Sequence, residues 1–416
     1  MNPSLTTGTK TNIVLPLSFI LYSLMALIIS QFVLFLNGEM IIQGIYRTPE
    51  IWMTAHLLLL GFVMMVAMGA MYQLVPVVFL TPIWSEKFGF LQFFISAMGI
   101  LSFSVSLAYY LEYAMYSGGL TLLGILMFLF QMWKTIKKQS NKNILTVFVG
   151  TALICLLLTI CLGILLTVNL GLNIDLINHF TVLKTHILLG LAGWFTLLIF
   201  GFSYKMIPMF SLSHGYSMKL SMYVYCTYVS GLLISVLSFS LDSKIILKFG
   251  FILLLIGFSI FILHMKNILK KRLKKNLDRA FVFSLIGILF GWILHLIAMF
   301  YVLFFEISIS IIGILIYLYI FGWIIFSIMG YLYKIVPFLW WTHRYSEQVG
   351  KTDVPILKNI ANEKLGAFLF FSFIITVLGV GFAILFSWLL GFYFFQGILV
   401  FLSITYSAAI INVLRK

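Results

Sequence analysis

The chain has 416 residues, of which 62% are apolar, 17% aromatic and only 9% charged, and a formal charge of +15; its mean hydropathy is +1.14. A soluble domain carries roughly a quarter charged residues, so a soluble enzyme, a nucleic-acid binder and a secreted disulfide scaffold are all excluded. What remains is an all-α polytopic membrane protein, a single integral membrane domain over 1–416 with room for roughly a dozen spans and little else.

Apolar runs between polar breaks predict twelve transmembrane helices, at 12–36, 51–80, 88–110, 114–134, 144–171, 180–210, 218–241, 244–265, 280–305, 308–340, 365–389 and 391–413. The polar stretch Met1 to Thr11 is followed by a full-length apolar run without a small-residue cleavage site, which reads as a first span and not as a removable signal peptide. Cys155, Cys161 and Cys226 all fall within apolar runs, with neither CxxC nor CxxCH spacing, and read as packing residues. Lys and Arg are retained on the cytoplasmic side. With both termini inside, that side holds 20 of the 26 basic residues, including Lys10, Lys87, Lys134 to Lys142, the cluster Lys266 to Arg279, Arg344 and Lys416. Arg47, Lys184, Lys244 and Lys248 lie opposite, while Lys205 and Lys334 sit near the inner ends of their helices. The expected location is therefore the plasma membrane with cytoplasmic termini, the lipid bilayer being the first partner and the basic excess serving topology and contact with anionic lipid.

A pattern G-[FW]-x6-G-x2-Y-[QK]-x2-P occurs three times: Gly61-Phe62, Gly69, Tyr72, Pro76 in span 2; Gly193-Trp194, Gly201, Tyr204, Pro208 in span 6; and Gly322-Trp323, Gly330, Tyr333, Pro337 in span 10. Gly61 to Gly193 is 132 residues and Gly193 to Gly322 is 129, so each unit is four helices, approximately 12–134, 144–265 and 280–413. Glycines eight apart lie about 80° apart around an α-helix and let a neighbouring helix or a flat ligand approach the backbone. The prolines are expected to end each span at the inner surface. Three like units close naturally into a ring of twelve helices with pseudo-threefold symmetry.

At these residues the chain resembles subunit I of the haem-copper oxidases, including the cbb3-type oxidases and the nitric oxide reductases. His186-Ile-Leu-Leu-Gly-Leu-Ala-Gly193-Trp194 through Gly201, Tyr204 and Pro208 is similar to the cbb3 tenth helix H-x-H-S-G-A-L-G-W-x6-G-x2-Y-x-L-[IV]-P, with Leu188 in place of the second histidine. Gly69-Ala-Met-Tyr-Gln-Leu-Val-Pro76 is similar to G-A-x-Y-Y-L-V-P in the second helix of the nitric oxide reductases. The resemblance implies twelve transmembrane helices in three pseudo-symmetric four-helix arcs, a cytochrome c oxidase subunit I-like fold. It also implies haem in the outer half of the membrane and small respiratory subunits as partners. Ser213-His214-Gly215 is similar to the G-H-T-G loop of a second twelve-helix family, the haem-containing nitric-oxide-response membrane proteins.

Intramembrane ionisable residues are functional candidates because hydrocarbon penalises them. Of the seven histidines, His179, His214 and His343 fall in loops or at span edges, and His264 ends span 8 beside the basic cluster, at the interface. His56, His186 and His295 remain as candidate metal ligands, at depths of roughly 8–9 Å for the first two and roughly 15 Å for the third. Neutral imidazole is the usual axial ligand of haem iron. Under the resemblance, His56 takes the second-helix position of the low-spin haem ligand, His186 the sixth-helix position of a copper ligand, and Tyr317 the tenth-helix position of the second low-spin ligand. His56, His186 and Tyr317 are thus the candidate haem-binding residues. A complete oxidase of that family needs six histidines; Leu315 and Tyr317 stand at the tenth-helix positions and span 7 lacks a His-His pair. Copper and terminal oxidase activity are therefore not expected.

Two functions follow. One is a divergent subunit I-like protein with a single b-type haem that handles or senses a diatomic gas, nitric oxide or oxygen, or carries one electron. The other is a cofactor-free transporter or assembly scaffold on the same fold. Gln73, Lys205 and Lys334 share one repeat position near the inner surface, where lysines snorkel to water or line a proton or anion path. The acids Glu39, Glu50, Glu112, Asp175, Asp242 and Glu306 sit at outer edges, which leaves no carboxylate relay through the membrane.

Overall fold

The computed structural model describes residues 11–139, 142–172, 178–306 and 308–416; Lys10 and Asp175, assigned above to the inner and outer sides, lie outside them. Twelve helices of spanning length run through the described residues: α1 Val14–Leu36, α2 Pro49–Phe79, α3 Glu86–Tyr109, α4 Leu111–Lys137, α5 Ile144–Gly171, α6 His179–Ser211, α7 Lys219–Ser240, α8 Lys244–Lys270, α9 Arg279–Phe304, α10 Ile309–Tyr345, α11 Glu363–Leu385 and α12 Leu389–Val413. They form three four-helix arcs. Side chains that satisfy orphan amides fix several helix starts: Thr48, Ser85, Asn143, Asn178, Ser243 and Asn362 each accept a first-turn N–H.

The repeated glycines receive a neighbouring helix rather than a flat ligand, and it is the same neighbour in every unit. Cβ atoms built on Gly61 and Gly69 would strike Ala26 and Phe19 of α1, those on Gly193 and Gly201 would strike Cys155 and Phe148 of α5, and those on Gly322 and Gly330 would meet Phe290 and Ser284 of α9. The second helix of each arc therefore lies close along the first. The repeated tyrosines then tie each second helix to a later element: Tyr72 donates to Gln92 of α3, Tyr204 bonds His264 of α8, and Tyr333 donates to the Asn362 carbonyl before α11. The ring closes where the Gln396 amide of α12 donates to the side chain and backbone oxygens of Gln31 on α1, both at 3.0 Å. In an apolar seam such amides have no other partners.

The second helices α2, α6 and α10 meet at the centre. His56 faces His186, α2 touches α10, and α6 joins α10 through Thr196 to Tyr319 at 2.7 Å and Ser203 to Tyr331 at 2.8 Å.

Two expectations about these helices need correction. Each contains a π-helical run at the glycine-aromatic motif, Leu57–Met64, Leu189–Thr196 and Tyr319–Ile325, so the 80° offset expected of an unbroken α-helix does not apply. A π-turn closes from residue i to i+5; Thr196 even returns its hydroxyl to the Leu191 carbonyl at 2.9 Å. The prolines do not end the spans either. Pro76, Pro208 and Pro337 lie inside their helices, which run on to Phe79, Ser211 and Tyr345. Proline disrupts a helix only when the amide it lacks and the carbonyl it displaces cannot be accommodated.

Helices α2 and α6 stop instead at left-handed leucines, Leu80 (φ 52°) and Leu212 (φ 54°). After Leu212 the Ser213 N–H returns to the Pro208 carbonyl at 3.0 Å, closing a Schellman-type end. A left-handed leucine costs about 1–2 kcal/mol, and Leu212 is half exposed, so its side chain contributes little burial. Leu212→Gly should raise the thermal unfolding temperature in detergent, by up to about 1 kcal/mol of added stability once glycine's extra unfolded-state entropy is subtracted; an unchanged or lowered midpoint would contradict the strain.

Candidate functional site

The inner two-thirds of the central helices are packed nearly solid, whereas their outer thirds are loose. No residue of His179–Leu188 is fully buried, only Ile314 is in Ile309–Leu318, and only Met53 and Thr54 are in Pro49–His56. His56 and His186 project from these loose segments just ahead of the π-helical runs. Each is the eighth residue of its helix, which sets them at one depth.

Their rings lie 6.4 Å apart between centroids and are inclined by 33°. His56 Nδ1 is 2.8 Å from the Trp52 carbonyl, and His186 Nδ1 is 2.8 Å from the Thr159 carbonyl on α5. A carbonyl only accepts, so both Nδ1 atoms carry the proton and both Nε2 atoms present a lone pair. Neither Nε2 has a hydrogen-bond partner among the described residues. Phe103 packs edge-on against His56 at 5.2 Å. Gly163 admits the other ring: a Cβ there would stand 3.0 Å from His186 Cε1.

His295 is elsewhere. Its Nδ1 donates to the Gly291 carbonyl at 2.7 Å, leaving Nε2 to accept the Tyr228 hydroxyl at 3.1 Å. Its ring also touches Phe258 and Tyr319, and Tyr319 leads to Thr196, which accepts the Trp323 indole N–H at 3.1 Å. This buried polar cluster joins α6, α7, α9 and α10. Sequence reasoning found His295 but missed Tyr228, Tyr319 and Thr196, whose only signal was a hydroxyl inside an apolar run. The third candidate haem residue, Tyr317, packs against Phe321 with ring centroids 4.6 Å apart, and its buried hydroxyl has no partner among the described residues.

The remaining histidines divide. His214 and His343 are exposed. His179 accepts the Arg47 guanidinium at 2.8 Å while that guanidinium lies over Phe180, so the segment before α2 is strapped to the start of α6. His264, expected at the interface, is buried within the protein, donating through Nε2 to the Ser217 carbonyl at 2.8 Å and accepting from Tyr204. Of the basic cluster that follows it in sequence, Lys266 and Lys270 are exposed on α8 itself, while His264 is turned inward.

At the inner end Lys334 does not snorkel. It pairs with Asp278, at the start of α9, and lies over the Phe210 ring. Lys274 pairs with the other Asp278 oxygen at 2.6 Å. Burial alone would raise the Asp278 carboxyl, but hydrogen bonds from the two ammonium groups outweigh it and hold the carboxyl below its ordinary value.

The donor chemistry separates the two metal groups that the sequence resemblance implies. One metal atom held by a nitrogen of each ring, at about 2 Å per bond, would set two imidazole centres about 6 Å apart. The pair His56 and His186 matches that spacing, and its bare Nε2 atoms suit axial ligation of a haem. A three-histidine copper set does not fit, because His295 Nε2 is engaged by Tyr228 and no three His, Cys, Asp or Glu side chains among the described residues are grouped to hold a metal ion.

Comparison with known proteins agrees with this architecture. No protein-family model and no curated protein matches the sequence. Among solved structures, a heme-copper terminal oxidase dimer determined by cryo-electron microscopy matches with a TM-score of 0.69, covering 98% of this chain and 85% of that one at 12% identity. At that identity the likeness speaks for the fold, and it agrees with the three arcs and central helices described above. The chain is a twelve-span membrane protein with the haem-copper oxidase subunit I-like fold.

Proposed function

We propose that the protein binds one b-type haem between His56 and His186 and serves as a one-electron carrier, without a haem-copper dinuclear centre. The observation that carries this reading is the facing pair of imidazoles with Nδ1 protons tied to backbone carbonyls and Nε2 lone pairs free. Such outer hydrogen bonds fix the tautomer and raise the basicity of the ligating nitrogen. A bound haem supplies reversible one-electron chemistry at a potential set by its axial ligands and by burial. The chain's own part is to hold both nitrogens at one depth, to keep water out with Phe103 and the apolar walls, and to offer the Arg47 cation on the side of the membrane where the pair lies. If both nitrogens held one haem iron, none of its ligand positions would be left for nitric oxide or oxygen. This favours electron transfer over gas handling. The basic face is assigned to the cytoplasm of a plasma-membrane protein, and small respiratory subunits are the class of partner that an electron carrier of this fold requires.

An absorption spectrum of the intact, detergent-solubilised protein tests the reading. A Soret band and a sharp reduced α-band, unshifted by carbon monoxide, are expected, and Tyr317→Phe should leave them unchanged. A colourless protein would overturn it in favour of a cofactor-free transporter or scaffold; carbon monoxide binding would restore the gas-handling reading; loss of the bands in Tyr317→Phe would reassign a ligand.

A further inference from the structure

A cavity of about 340 Å³ opens where α8 meets α9, at the basic face and on the seam between the second and third arcs. Its wall is apolar, formed by Ile262, Met265, Leu269, Leu285, Ile288 and Leu289, and its rim carries Lys266, Lys270 and Arg272. The three cations are exposed and none has an ion-pair partner among the described residues. Asp278, the one carboxylate in the loop between α8 and α9, is taken by Lys274 and Lys334. The loop is held in place, since Leu273 N–H and Lys274 N–H return to the carbonyls of Leu212 and Ser211 at 3.2 and 3.3 Å. The rim is therefore a fixed, uncompensated cationic arc above an apolar groove, and Leu289 continues that groove outward, about half exposed.

We propose that this groove is a binding site for one anionic phospholipid, its phosphodiester held by Lys266, Lys270 and Arg272 and its acyl chain lying against Leu285, Ile288 and Leu289. Charge complementarity selects the headgroup: basic pockets between helices at a membrane face favour anionic lipid, with each Lys or Arg strengthening the attraction. The apolar wall selects a lipid over a soluble phosphate, because phosphate alone would leave those leucines and isoleucines uncovered. Bound there, the lipid fills the seam between two arcs.

Native mass spectrometry of the full chain, purified in detergent and titrated with phosphatidylglycerol or phosphatidylcholine, tests the site. The unsubstituted protein should retain one phosphatidylglycerol at least tenfold more tightly than phosphatidylcholine. K266Q/K270Q/R272Q should lose that preference, whereas K244Q/K248Q at the opposite face should keep it. Leu285→Trp, which fills the groove while keeping every charge, should weaken retention by a similar factor and guards against a triple variant that fails to fold. Equal retention of both lipids, undiminished preference in the triple variant or in Leu285→Trp, or displacement of the lipid by millimolar inorganic phosphate would each overturn the proposal.

Discussion

His56→Ala and His186→Ala will each abolish the six-coordinate haem spectrum, and the double variant will be colourless. Each substitution removes one of two imidazoles whose ring centroids lie 6.4 Å apart, so neither leaves a second histidine ligand in reach among the described residues. The single variants should differ from the unsubstituted protein in kind: whatever haem they retain has an open axial position and binds carbon monoxide. Gly163→Leu provides an independent check with both histidines in place. A Cβ at 163 already stands 3.0 Å from His186 Cε1, and a leucine would push the ring out of line, so the same spectral loss is expected. Haem content measured by pyridine haemochrome, together with the reduced-minus-oxidised spectrum, decides it. An unchanged spectrum in either histidine variant would remove that residue from the site.

Asp278→Ala will destabilise the inner face, by about 1–3 kcal/mol, because it strands Lys334 beside Phe210 without a counter-charge. Asp278 and Lys334 are 13% and 18% exposed, so water cannot substitute fully. Asp278→Ala/Lys334→Met should recover most of the loss, since a matched apolar replacement removes both desolvation costs. The same pair predicts a pH dependence. The folded-state pKa of Asp278 is depressed, so its contribution is fully present above the unfolded value of about 3.9 and is lost as the pH falls through the lower folded value. Thermal unfolding in detergent between pH 3 and pH 7 should show acid destabilisation that is absent in the double variant. Equal acid sensitivity in the two proteins would contradict this assignment.

The spans and their repeat were legible in the sequence because bilayer thickness forces long apolar runs and because three copies of one motif cannot arise from composition alone. Depth was legible too: His56 and His186 could be placed at one level by counting residues. What could not be read was which way they face. That depends on the π-helical runs, which shift the angular register by a residue without any residue type that announces them, and on Gly163, whose role exists only once α5 lies beside α6. The Lys334–Asp278 pair joins residues 56 apart, and local charge patterning pointed to a snorkelling lysine instead. The partners that bury His264 were hidden for a similar reason: Tyr204 and Ser217 are 60 and 47 residues away in sequence. The partners of His295, namely Tyr228, Tyr319 and Thr196, were hidden because single hydroxyls in apolar helices carry no periodic signal.

The wide turns in α2, α6 and α10 have a mechanical consequence. Each stores a residue in excess of the α-helical count, and one residue corresponds to about 100° of rotation. Losing that excess from 57–64 would swivel the outer collar of α2 by about that angle and turn His56 out of its place opposite His186. Because all three wide turns occupy the same level, they mark a plane across which the protein can reorient its upper tier without disturbing its base.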